Sequence, residues 1–363
     1  MPGVQGLQPY LPGKPTDELE RELGISNSLK LASNENPLGP SPQAVAAMLG
    51  HLEQLHLYPD GNGFRLKQAL ARYLGIQPNA ITLGNGSNDV LDMIARAYLG
   101  PGRNAVFSQY AFAVYPISTQ AVGAEMHIAP ANPPGHAMPY GHDLPAMLEQ
   151  VDKQTGVVFI ANPNNPTGTW LDSEELEAFI RNLSPEIIVV IDEAYFEYVQ
   201  GENHPDALKW LSKYPNLVVT RTFSKIYGLA GLRVGYAISS PEVADVLNRV
   251  RQPFNVNSLA LVAAEAALED RTHLEKSIAM NHSGLVQLEE GLRQLGLNCI
   301  PSVGNFITAD MGHDAAPVYE ALLREGVIVR PVANYGLLEH LRITVSTEDD
   351  NQRVLDSLKK VLG

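Results

Sequence analysis

Lys225 lies in Thr222-Phe223-Ser224-Lys225-Ile226-Tyr227-Gly228, just past the apolar run Leu217 to Thr220, so one amine stands among hydroxyls where a strand should end. An exposed lysine has a pKa of about 10.4 and is a poor nucleophile at neutral pH. Burial, a nearby positive charge or an electron-poor aldehyde lets it form a Schiff base, which is the chemistry this setting suggests. Asp192 ends another apolar run, Ile188 to Ile191, in Asp192-Glu193-Ala194-Tyr195. A carboxylate there can pair with a protonated pyridine nitrogen and keep the ring an electron sink for a substrate carbanion. Taken alone, Asp192 reads better as a helix N-cap, which Asp often supplies. Tyr195 can donate to a phenolic oxygen on such a ring, or simply fill a core or an interface.

A third apolar run leads into Asn162-Pro163-Asn164-Asn165-Pro166-Thr167-Gly168. Its prolines prevent helix, so an asparagine amide between them is held at a strand end, as in a plain turn or as a donor to a bound ring. Gly84-Asn85-Gly86-Ser87-Asn88-Asp89 opens a predicted helix, whose free N–H groups and positive dipole end attract phosphate. It lacks the spacing of a P-loop or a dinucleotide fingerprint, and by itself reads as an ordinary capped helix. With Thr222, Ser224 and Arg233 near Lys225, a phosphate cradle is the better reading. Phe112 offers a stacking face or a core ring. Aldehyde, pyridine and phosphate together point to pyridoxal phosphate. His51 and His56 miss the spacing of a helical metal site, no metal is expected, and no Gly-x-Ser-x-Gly elbow supports a serine hydrolase.

These residues need elements to hold them. Phe64 to Leu74, Ser87 to Leu99 and Asp172 to Leu183 have helical spacing, the last with Asp172 and Glu175 as a capping box. Short apolar runs at 80–83, 105–107, 156–161, 187–191, 217–220 and 234–238 read as strands. Strands alternating with helices predict an α/β fold with a mostly parallel sheet sandwiched by helices. Ligands in such sheets bind beyond the carboxyl ends of the strands. Beyond Arg251 a long helical region from Leu259 to about Leu295, strands at 305–310, 327–332 and 341–346 and a helix at 348–362 suggest a smaller α+β domain. The expected division is an N-terminal arm over 1–45, rich in Pro, Gly and Asn and without core periodicity, a large cofactor-binding domain over 46–252 and a small C-terminal domain over 253–363.

The chain has 363 residues, 45% of them hydrophobic, which allows a large core in a globular protein. A formal charge of −14 without a long basic run argues against nucleic acid, because phosphate neutralisation supplies most of that affinity. One cysteine, Cys299, excludes an internal disulfide and fits a reducing cytoplasm. The N-terminus lacks the pattern of a signal peptide, and no run is long enough to span a bilayer, so neither export nor a membrane is expected.

The ordered set Asn-Pro-Asn-Asn-Pro-Thr-Gly (162–168), Asp-Glu-Ala-Tyr (192–195), Thr-Phe-Ser-Lys (222–225) and Gly-Leu-Arg-Val-Gly-Tyr (231–236) resembles the fold-type I pyridoxal-phosphate aminotransferases of classes I and II. Within them, Leu29 to Pro42, Tyr58-Pro59-Asp60-Gly61, Gly84 to Ser87 and Leu341 to Thr344 are similar to histidinol-phosphate aminotransferases, nearly end to end. The resemblance implies that Lys225 carries the internal aldimine and acts as general acid and base. It also implies that Asp192 holds the pyridinium and that Asn165 and Tyr195 contact the phenolic oxygen. Gly86, Ser87, Asn88, Thr222, Ser224 and Arg233 would bind the phosphate, Phe112 would stack on the ring, and Tyr58 would reach the phosphate across a homodimer interface. Tyr10, Asn34, Arg330 and Arg342 would line the substrate side. The small-molecule substrates implied are histidinol phosphate with 2-oxoglutarate, in a ping-pong cycle. An aromatic amino-acid aminotransferase is the nearest competing reading, a threonine-phosphate decarboxylase-like lyase the next. A ligand-sensing transcription regulator would need a DNA-binding module for which the short non-basic arm has no room.

Overall fold

The computed structural model describes residues 2–201 and 204–363. Its arm forms α1 (Pro2–Gln5), α2 (Thr16–Leu23) and β1 (Leu29–Lys30). The arm was expected to hold no core element, and α2 corrects this, because its Leu19 packs with Ala32, Leu323 and Ile328. Its remaining residues are mostly charged, so a single inward leucine left no periodicity to read.

The chain continues through α3 (Pro42–Leu49), α4 (Phe64–Leu74), β2 (Ile81–Gly84), α5 (Ser87–Tyr98), β3 (Asn104–Ser108), α6 (Val114–Ala121) and β4 (Glu125–Ala129). Next come α7 (Leu144–Glu149), β5 (Thr155–Ala161), α8 (Ser173–Arg181), β6 (Ile188–Asp192), β7 (Leu217–Thr222), β8 (Gly235–Ser239) and α9 (Pro241–Val250). The strands form one seven-stranded sheet in the order β2-β8-β7-β6-β5-β3-β4. Only β8 runs against its neighbours. The expected sandwich is therefore present. Along β5, Val158 and Ile160 face one core with α4, α7 and α8, while Val157, Phe159 and Ala161 face the other with α5, α6 and α9. Burial on both faces explains why this strand reads as a continuous apolar run. The exposed edge strand β4, in contrast, gave no such signal.

The long helical region is two helices, α10 (Ser258–Glu269) and α11 (Arg271–Gln294), separated at Asp270, whose side chain accepts from the His273 N–H at 3.1 Å. A four-stranded antiparallel sheet follows, β12-β13-β10-β9, built from β9 (Asn298–Ile300), β10 (Phe306–Asp310), β12 (Arg330–Pro331) and β13 (His340–Thr344). It is covered by α11, α12 (Ala316–Arg324) and α13 (Glu348–Leu362). The run at 327–332 splits, because β11 (Val327–Ile328) pairs instead with β1 of the arm. Ala260, Ala263, Ala264 and Ala267 of α10, beyond the expected boundary at 252, pack into the core of the large sheet. No helix among the described residues is long and apolar enough to cross a membrane.

Candidate active site

Strands β5, β6 and β7 lie in parallel register, Ala161 beside Asp192 and Asp192 beside Thr220, so their carboxyl ends deliver three loops to one edge. A cavity of about 180 Å³ opens there. Tyr10, Asn34, Ser87, Asn88, Phe112, Asn165, Asp192, Tyr195, Thr222, Ser224, Lys225, Arg233 and Arg342 all line it.

Lys225 donates from Nζ to the Ser33 carbonyl at 2.9 Å, and Nζ lies 5.7 Å from the centre of the Tyr195 ring. Burial, reinforced by the positive charge of Arg342 and Arg233, brings its amine down to about 7. Such an amine is substantially neutral at physiological pH, as a Schiff-base nucleophile must be.

Asp192 accepts from Thr220 Oγ1 at 2.9 Å and from the Tyr115 hydroxyl at 3.0 Å. Burial pushes its carboxyl up, while these donors and the Ala194 N–H pull it down. The Tyr195 hydroxyl accepts from Asn34 Nδ2 at 2.9 Å, and burial raises the phenol further above its ordinary value. Asn34 is held in the left-handed region at φ 55° by Thr344 of β13, whose hydroxyl accepts from its N–H at 3.0 Å. Arg342, also on β13, donates to Asn165 Oδ1 and, at 2.7 Å, to the Ala32 carbonyl. Its Nε is buried without a partner among the described residues. The antiparallel sheet and the arm thus reach the rim that the parallel sheet supplies.

At the start of α5, Gly86 occupies the cap position at φ 81° with no side-chain cap, leaving the first N–H groups open. A Cβ at Gly86 would stand 2.5 Å from an Arg233 nitrogen, and one at Gly235 would stand 2.4 Å from the Ser87 nitrogen. Glycine lets the guanidinium and the neighbouring strand close around this helix end. Arg233, itself left-handed at φ 56°, donates to Ser224 Oγ at 3.3 Å.

Three expected residues lie off the cavity wall, Gly86 just behind Ser87 and two that are further away. Arg330, beside Arg342 in register, donates to the Leu11 carbonyl and sits 5.6 Å from the Tyr10 ring. Tyr58 is 83% exposed and stacks on Phe254 at 4.8 Å. Sequence reasoning passed over the Ser33 carbonyl, Thr220 and Tyr115. Thr220 had a signal, since it ends the strand next to that of Asp192, whereas a backbone carbonyl has none.

The donors fit a phosphorylated pyridoxal. A low-pKa amine, a buried carboxylate, a flanking aromatic in Phe112 and an open helix N-terminus with an arginine and hydroxyls are gathered in one cavity.

Fold and site define a transferase of amino groups, and the chain belongs to the aminotransferase class I and II family, whose sequence profile matches residues 26–358. It is 61% identical over 364 aligned positions to histidinol-phosphate aminotransferase 2 of Pseudomonas fluorescens, covering 100% of this chain and 97% of that one. The corresponding protein of Methylococcus capsulatus is 58% identical with 98% of its length covered. Among solved structures, histidinol-phosphate aminotransferase from Sinorhizobium meliloti in complex with pyridoxal-5'-phosphate superposes with a TM-score of 0.90 at 29% identity, covering 99% of this chain and 96% of that one.

Proposed function

We propose that this protein is a pyridoxal-phosphate-dependent aminotransferase of histidine biosynthesis. It interconverts L-histidinol phosphate and 2-oxoglutarate with imidazole-acetol phosphate and L-glutamate. One observation carries the reading: a buried amine at about 7, the Asp192 carboxylate and the α5 N-terminus share a cavity with Arg342. The full-length identity of 61% to a histidinol-phosphate aminotransferase supplies the substrate.

Pyridoxal phosphate supplies an aldehyde carbon for exchanging amines and a ring that draws electrons from the substrate Cα. The residues here do the rest. Lys225 would hold the aldehyde carbon and, once displaced by the substrate amine, would move a proton from the substrate Cα to that carbon as general base and then acid. Asp192 holds a proton on the ring nitrogen, and Asn165 and Tyr195 orient the phenolic oxygen. Ser87 and Asn88 would present α5 N–H groups to the phosphate, with Gly86 shaping the turn before them and Thr222, Ser224 and Arg233 closing around it. Phe112 stacks on the ring. Arg342 presents a buried, partly unpartnered guanidinium suited to the phosphate of one substrate and a carboxylate of the other, with Arg330, Tyr10 and Asn34 on the same side.

Tyr58 sits among exposed apolar residues and reaches the phosphate of a second copy, so the working unit is a homodimer. A single cysteine among 363 residues supports a cytoplasmic setting. A substrate panel that follows the cofactor's absorbance in purified protein tests the assignment. Conversion by histidinol phosphate and reversal by 2-oxoglutarate are expected. Turnover of phenylalanine alone would favour the aromatic enzymes, and release of carbon dioxide the lyases.

A further inference from the structure

Tyr115 stands in the first turn of α6 with no exposed surface and touches two walls of the cavity without lining it. Its hydroxyl donates to Asp192 Oδ2 at 3.0 Å. Its ring lies flat on Phe159 of β5, with centroids 4.8 Å apart and planes at 9°, and meets Phe112 edge-on at 5.9 Å and 85°. Phe112 and Asp192 both face the cavity. The β5 ring fixes Tyr115 from below, and Tyr115 in turn fixes a carboxylate and an aromatic face from behind.

The chemistry of the contact matters. Thr220 serves the other oxygen, Oδ1, at 2.9 Å, so both side-chain donors to Asp192 are uncharged hydroxyls. A lysine or arginine there would neutralise the carboxylate. Neutral donors offset the cost of burying the charge and leave it free to meet a cation on the cavity side. They also lock the plane of the carboxyl, so the remaining lone pairs point one way.

We propose that Tyr115 is a positioning residue for the cofactor ring, aiming Asp192 at the ring nitrogen with its hydroxyl and backing Phe112 with its ring. This rests on the reading of Asp192 as the partner of the pyridinium. The two halves of the role separate by substitution. Tyr115→Phe removes the hydroxyl and keeps the aromatic stack, and Tyr115→Leu removes both.

The test measures, for each variant, the melting temperature of the cofactor-free protein, the dissociation constant for pyridoxal phosphate by equilibrium dialysis, and kcat and KM separately. A hydrogen bond to a charged group is typically worth about tenfold or more in binding. For Y115F the expected result is an unchanged melting temperature, a dissociation constant raised roughly tenfold, and a lowered kcat with KM for histidinol phosphate unmoved. Y115L should lose further cofactor affinity. Y115F equal to the parent in affinity and kcat would overturn the proposal. So would a fall in the melting temperature of Y115F with kcat preserved, which marks a packing residue only. A parent protein that bound no pyridoxal phosphate would sink the cofactor reading itself, a result distinct from a parent that binds while Y115F matches it.

Discussion

An amine held at about 7 is half neutral where an exposed lysine is almost wholly protonated. Only the neutral form attacks an aldehyde. The rate at which cofactor-free protein captures pyridoxal phosphate should therefore rise as pH increases through about 7 and then level off, read from the growth of imine absorbance. A rate still climbing towards pH 10 would show an ordinary lysine. Lys225→Ala should lower turnover at least 100-fold, the scale on which general acid–base groups act, and leave the cofactor loosely held. At this scale the sequence was informative wherever an apolar run stops at a polar residue, as at Asp192 and at Asn162, which opens the segment holding Asn165. Tyr115 was not legible, because 77 positions separate it from Asp192 and only the folded sheet brings them together.

The start of α5 and the end of β6 are the elements that must be rigid. Gly86→Ala adds a Cβ at φ 81° and ψ 165°, backbone essentially confined to glycine, and 2.5 Å from an Arg233 nitrogen, so the displaced guanidinium should weaken cofactor binding about tenfold. Pyridoxal without its phosphate should be affected far less, a comparison that equilibrium dialysis makes directly. Next to Asp192, Glu193 forms a buried pair with Arg221 at 2.7 Å, their side chains 1% and 4% exposed. Glu193→Ala leaves that buried guanidinium only its longer contact with Asp206 at 3.3 Å and should cost about 3 kcal/mol in urea unfolding of the cofactor-free protein. Helices α4 and α13 were predicted to the residue because their apolar stripes are regular. The capping aspartate of α8 was equally plain, since Asp172 accepts from the Glu175 N–H at 2.9 Å. Short pieces such as β11 and β12 were not separable by pattern, because their strand partners lie elsewhere in the chain.

For the whole molecule, the open question is what covers Leu49, Leu52, Leu55, Leu57, Tyr58 and Phe64, each more than 40% exposed in the single chain. An apolar surface of that kind around a proposed partner contact is what a stable dimer hides. Sedimentation should return twice the chain mass of 39.5 kDa. Leu55→Glu should shift it towards one chain and loosen cofactor binding together, with the circular dichroism spectrum unchanged. A monomeric parent with full activity would refute the shared site. The broad architecture was readable from the alternation of strands and helices, but the docking of α2 was not, because it depends on a single leucine, Leu19, meeting Leu323 and Ile328 far along the chain.

The contact between Lys225 and the Ser33 carbonyl has a further consequence. Were the anchor a carboxylate, every release of the amine would leave a bare ion in a dry pocket. An uncharged backbone oxygen would let the side chain swing from the proposed tether to the proposed proton carrier and back while giving up one ordinary polar contact, so the reusable tool would be cheap to unclip.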